Sequence, residues 1–117
     1  MDLIDAIAKD KEFRNKFAAA IAAKVQLDAA TIAKTDRCVL GNWLHGEATR
    51  TCMFLKSYKP CLEAHAAFHV QAAKVVREIN GAEYVDAQAM LAGSGAFAKS
   101  FGVLEAAVLL LKKEAKM

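Results

Sequence analysis

Proline occurs once in 117 residues, at Pro60, and glycine six times, so little in the chain interrupts a helix. Runs of β-branched residues are scarce and alanine is abundant, which makes most fifteen-residue windows helix-forming. The composition therefore specifies an all-α fold. Cysteine is sparse and odd in number: Cys38, Cys52 and Cys61 show no framework spacing, so no disulfide scaffold is expected. Thiols in that pattern suit a reducing compartment, as ligands or reactive groups. Charge of one sign is also lacking, because 16 basic residues face 13 acidic ones for a net +3. Apart from the short tail Lys112, Lys113 and Lys116, no basic stripe interleaves with aromatics, which argues against nucleic acid as the main partner. The uninterrupted apolar runs at 17–23 and 106–111 are far shorter than the ~20 residues a membrane span needs. The N-terminus has no basic, apolar and small-residue succession of a secretory signal. The expectation is a soluble, cytoplasmic protein without a membrane span.

A chain of 117 residues fits one domain, 1–117, since single cores are built from roughly 100–150 residues. From Leu3 to about Lys24, apolar residues recur at three- and four-residue steps (Leu3, Ile7, Phe13, Phe17, Ala20, Ile21), the period of one helical face. Residues 25–37 have a weaker pattern and read as a short helical connection with Asp28 or Thr31 as cap. A brief helix follows Asp36, over Cys38 to His45, and Gly46 ends it. Residues 46–60 read as irregular. Pro60 suits the first turn of a long helix that stops at Asn80-Gly81. The last helix is expected from about Ala82 to Lys113, with Gly93-Ser94-Gly95 as a soft or close-packing point inside it. Its seam is Met90, Phe97, Phe101, Leu104, Val108 and Leu111. Three long helices and one short one make a four-helix bundle.

The helix after Pro60 carries the most informative pattern. Leu62, His65, His69, Ala72, Val76 and Ile79 follow one seam, so both imidazoles point where the core should be. Positions four apart are neighbours on one face, and His65 and His69 can therefore bind one metal ion together. The plain alternative is a pair of hydrogen-bonded core histidines. Asp10 lies on the first helix's seam with Leu3, Phe13, Phe17 and Ala20. A carboxylate there must be coordinated or ion-paired with a Lys or Arg, because an isolated buried charge is costly. Cys38 stands where the short helix begins, where a helix N-terminus favours thiolate. For a single cysteine the alternative is a small buried hydrophobe, the reading kept for Cys52 and Cys61. Trp43 reads as a packing anchor and His45 as exposed.

Cys38-Val-Leu-Gly41-Asn-Trp43-Leu, His65-Ala-Ala-Phe68-His69-Val-Gln-Ala72 and the stretch around Gly95, Phe97 and Ser100 resemble the chemoreceptor zinc-binding domain, CZB. The resemblance covers essentially the whole chain, and the interval from Cys38 to His65 is typical of that family. It implies a cytoplasmic module, attached to bacterial chemoreceptors and diguanylate cyclases or standing alone, that binds zinc through three histidines and one cysteine. Carried over by residue, it supports Cys38, His65 and His69 as ligands. The fourth ligand does not transfer: the family's first-helix His-x-x-Trp reads Asp10-Lys-Glu-Phe13 here. Asp10 thus reaches the ligand position by alignment as well as by periodicity, and zinc accepts carboxylate oxygen. Water in the fourth place, with Asp10 behind it, is the alternative.

The resemblance implies a sensory or regulatory role in signalling such as chemotaxis, by zinc sensing or by detection of oxidants such as hypochlorous acid through the Cys38 thiolate. No output domain is expected, so the signal is expected to pass to a partner chain or a homodimer, and surplus apolar residues on the last helix (Val103, Leu109, Leu110) fit a homodimer. A small metal-dependent enzyme with an open zinc position is the alternative, but no His-Glu-x-x-His signature supplies a general base. A structural helical module without metal is the third reading. No catalytic residue is expected.

Overall fold

Asp2 opens the first helix, α1 (Leu3–Ala23), by accepting the Asp5 N–H at 3.0 Å. Lys24 ends it in the left-handed conformation (φ 55°), returning its own N–H to the Ala20 and Ile21 carbonyls. The face that α1 buries is Leu3, Ala6, Ile7, Asp10, Phe17 and Ala20, the expected seam with its carboxylate included. Asp28 then caps α2 (Ala29–Ala33) through the Thr31 N–H at 3.2 Å. Cys38 caps α3 (Val39–His45), which stops at Gly46. The computed structural model describes all 117 residues and contains no strand.

The remaining elements are α4 (Ala48–Thr51), α5 (Tyr58–Asn80), α6 (Tyr84–Leu91) and α7 (Ala96–Glu114). Pro60 falls in the first turn of α5, and Gly81 is its C-cap, as expected. α5 runs through the middle of the bundle, against α7, α2, α6 and α1, while α1 also meets α3, α6 and α7. The buried apolar side chains join in one cluster, in which Trp43, Cys52 and Cys61 lie as packing residues. Two polar ties set the geometry. The Asn80 amide brackets the backbone of Leu27, accepting its N–H at 2.9 Å and donating to its carbonyl at 2.8 Å, which fastens the α1–α2 connection to the end of α5. At the other end the Glu114 carboxylate accepts the Ser57 N–H and hydroxyl at 2.9 and 2.7 Å, joining the end of α7 to the start of α5.

The bundle is all-α, but the helix count differs from three long and one short. The last long helix is two, because Ala92 and Gly95 are extended (ψ 154° and 160°). Gly95 permits the break: a Cβ there would lie 2.5 Å from the Met90 carbonyl oxygen and 2.6 Å from that of Ala89. Within 46–60 the short α4 forms because Ala48 is fully buried and the Thr49 hydroxyl donates back to the Gly46 carbonyl at 2.6 Å. An 18-residue window inside Tyr84–Glu114 has a mean hydropathy of 1.5, so this stretch is apolar enough by composition to cross a membrane. In the fold it bends at 92–95, and Phe97, Leu104, Val108 and Leu111 of α7 turn into the core.

Candidate metal centre

Three elements bring Asp10, Cys38, His65 and His69 together. α1 contributes Asp10 from mid-helix, the N-cap of α3 contributes Cys38, and the central face of α5 contributes both histidines. Asp10 is 2 % exposed, His65 0 % and His69 1 %, so these polar groups must be satisfied by one another or by a cation. Gly41 explains why α3 can approach so closely. A Cβ on it would overlap the Thr35 carbonyl oxygen and come 2.9 Å from His65 Cε1. Its N–H donates to Cys38 Sγ at 3.2 Å and so aims the sulfur at the histidines.

One candidate ligand atom from each residue, Sγ, a carboxylate oxygen or an imidazole nitrogen, lies within 4.8 Å of the other three. Cys38 Sγ is 3.2 Å from His65 Nε2 and 3.5 Å from His69 Nε2. The two Nε2 atoms are 3.1 Å apart, and Asp10 Oδ2 is 3.6 Å from His65 Nε2. Tetrahedral zinc, with bonds of ~2.0–2.1 Å to nitrogen and ~2.3 Å to sulfur, separates two nitrogens by about 3.3 Å and nitrogen from sulfur by about 3.5 Å. These four spacings match that geometry within a few tenths of an ångström, and the Asp10 oxygen lies within 4.8 Å of the other two donors. Asp10 Oδ2 is buried with no hydrogen-bond partner, as expected of an oxygen shaped to meet a cation. The residues present therefore fit zinc, with an oxygen, two nitrogens and a sulfur as donors.

His69 Nδ1 donates to the Ile32 carbonyl at 2.8 Å, which leaves Nε2 as the lone-pair nitrogen facing the centre. Burial holds the His69 pKa below the ordinary histidine value, with neighbouring His65 adding to the effect against the opposing Ile32 bond and Asp10. The rings of Phe13 and Phe68 meet His69 edge-on, at centroid distances of 5.9 and 5.5 Å, and fix its plane. The expected lowering of the Cys38 thiol needs correction. The Gly41 N–H does act in that direction, but burial and then the Asp10 carboxylate outweigh it and push the thiol up to about 11. A cation bound here must displace the thiol proton.

Asp10 has no Lys or Arg partner; the charged-group contact it makes is with His65. His45 is exposed and lies outside the cluster, its Nε2 3.4 Å from the Thr35 hydroxyl. Sequence reasoning missed the Ile32 carbonyl, which no side-chain pattern announces, and the reason for Gly41, which the Cys-x-x-Gly spacing did flag.

No match to the chain emerges among curated proteins or solved structures. One family does match: the chemoreceptor zinc-binding domain, over residues 11–76. That span holds Cys38, His65 and His69 and begins directly after Asp10. With over half its length matched and a zinc-shaped cluster at its centre, the chain belongs to the chemoreceptor zinc-binding domain family.

Proposed function

We propose that this chain is a zinc-binding regulatory module of bacterial signalling in the cytoplasm, holding one zinc ion with Cys38, His65, His69 and Asp10. The observation that carries the reading is the convergence of these four donors, from three separate elements, in a buried cluster of zinc-like spacing. Because α1, α3 and α5 each supply a ligand, occupancy of the centre is coupled to how α1 and α3 pack on α5. Oxidation of the Cys38 sulfur removes a ligand and loosens the same packing, so either zinc or an oxidant can act as the signal. Output passes to a second copy of the chain or to a signalling protein in trans. Support for the homodimer comes from Val103 and Leu110 of α7, which are 61 % and 58 % exposed. Four donors fill a tetrahedral shell, which favours regulation over catalysis, since catalytic zinc keeps an open position.

Metal analysis of protein purified without an affinity tag tests the reading, with one zinc per chain expected. Cys38→Ala and His69→Ala should each weaken binding more than the about 100-fold that loss of an orienting group alone can cause. Undiminished zinc retention in both variants sinks the assignment.

A further inference from the structure

The metal centre opens to solvent through a cleft of about 330 Å³ between α1 and the α2–α3 segment, with Cys38, His69 and Asp10 at its floor. Its rim is basic. Lys9 and Lys16 lie along one side, and Lys34 and Arg37 along the other. Two positions seven apart in a helix share a face and stand roughly 10 Å apart, so the two lysines form one row along α1. Lys9, Lys16 and Lys34 make no ion pair, and Arg37 reaches Asp36 only at 4.0 Å between two exposed side chains. Asp28 accepts the Thr31 N–H and hydroxyl at 3.2 and 2.7 Å, and these bonds, with a smaller contribution from Lys34, hold its carboxyl below the usual range. Asp10 is the one carboxylate lining the cleft against four cations. When zinc is bound by one thiolate, one carboxylate and two neutral imidazoles, the centre itself is neutral, and Asp36 and Asp28 offset only part of the positive charge of the rim.

We propose that this cleft binds a small organic dianion, such as a short dicarboxylate, bridging the Lys9–Lys16 row and the Lys34–Arg37 pair above the metal centre. Four cations around a concave, partly apolar surface concentrate anions by focusing the field. The dianion is organic because Phe13 and Val39 also line the cleft and offer apolar contact to a carbon chain between its charged ends. The cleft's size suits a ligand of a few carbons, at the small end of ordinary ligand sites. Its occupant would lie against α1 and the α2–α3 segment together, the elements whose packing the centre controls. The inference goes beyond the zinc reading and does not depend on it, since none of the rim cations is a metal ligand.

Succinate, sulfate and neutral succinamide are titrated at constant ionic strength, on metal-free and zinc-loaded protein, and followed by amide chemical shifts. Succinate should give saturable shifts confined to amides around 9–16 and 34–39, whereas succinamide gives none. Lys34→Gln/Arg37→Gln should weaken succinate about tenfold or more. Lys74→Gln/Lys113→Gln, which removes the same charge elsewhere, should leave the affinity unchanged. Zinc stoichiometry of the rim variant reports its folding and separates loss of the cleft from loss of the metal site. Non-saturable shifts, shifts spread over all lysines, or equal affinity in the rim variant would overturn the proposal. Sulfate binding as tightly as succinate would overturn the organic assignment.

Discussion

The imidazole of His69 on α5 donates through Nδ1 to the backbone carbonyl of Ile32 on α2 at 2.8 Å, so a five-residue helix sets the tautomer of a ligand it does not itself supply. α2 is held in turn by the Asn80 amide, which brackets Leu27 just before it. The centre's orientation therefore depends on a chain running from the end of α5 through the α1–α2 connection to Ile32. Its predicted behaviour follows from such ties as much as from the ligands.

Asp10 separates two accounts of the fourth donor. Asp10→Ala should weaken zinc by about tenfold or more, and Asp10→His should restore or exceed wild-type affinity, because imidazole and carboxylate both suit zinc. Competition titration with a chelating dye measures all three proteins. Equal affinities would remove Asp10 from the ligand set and leave the other three in place.

Gly41→Ala should destabilise the protein by about 1–3 kcal/mol, the cost of forcing a methyl group into a filled space. The Cβ meets a backbone carbonyl, that of Thr35, and the ring of His65, so neither neighbour yields by a simple rotation. Denaturant unfolding of the metal-free protein reads the loss. A midpoint equal to wild type would mean that the 35–41 segment can shift freely.

Cys61 is fully buried in the core, and burial, reinforced by nearby Cys52, pushes its thiol up to about 11 from 9.0. A group whose folded pKa is raised contributes stability below its unfolded pKa and loses it as pH rises through the folded one. Metal-free protein should therefore lose stability between pH 9.0 and about 11, and Cys61→Ala should reduce that slope to the part that Cys38 leaves, while lowering stability at pH 7. Chemical denaturation across this range decides, and an unchanged slope in the variant would contradict the assignment.

The homodimer is testable on α7. Val103→Lys/Leu110→Lys should convert a dimer to a monomer with unchanged helical content, since both side chains are exposed and leave the core intact. Light scattering on the wild type and the variant gives the masses. A monomeric wild type at high concentration would end the dimer reading.

The apolar period of α5 was legible because helix geometry is local: His65 and His69 at adjacent turns share a face wherever the helix lies, and both are buried. The same logic placed Asp10 on the buried face of α1. Gly93-Ser94-Gly95 reads as a soft or close-packing point inside one helix; the close packing is there, with Gly95 against the Ala89 and Met90 carbonyls, but the helix ends at this point instead of running through it. Residue type reports φ/ψ freedom, and whether it is used depends on packing.

Residue types and spacing thus determined by themselves that the chain is helical and that His65, His69 and Asp10 turn inward, whereas the choice of Cys38 as a fourth donor rested on the resemblance to the family. Only the tertiary structure decided that α3 comes close enough for Cys38 to lie 3.2 Å from His65, that the Ile32 carbonyl orients His69, and that the thiol is held up to about 11. The physical reason is range. Periodicity and capping are interactions between residues a few positions apart, whereas the Cys38 thiol and the Ile32 carbonyl act on the histidines from 27 and 37 positions away.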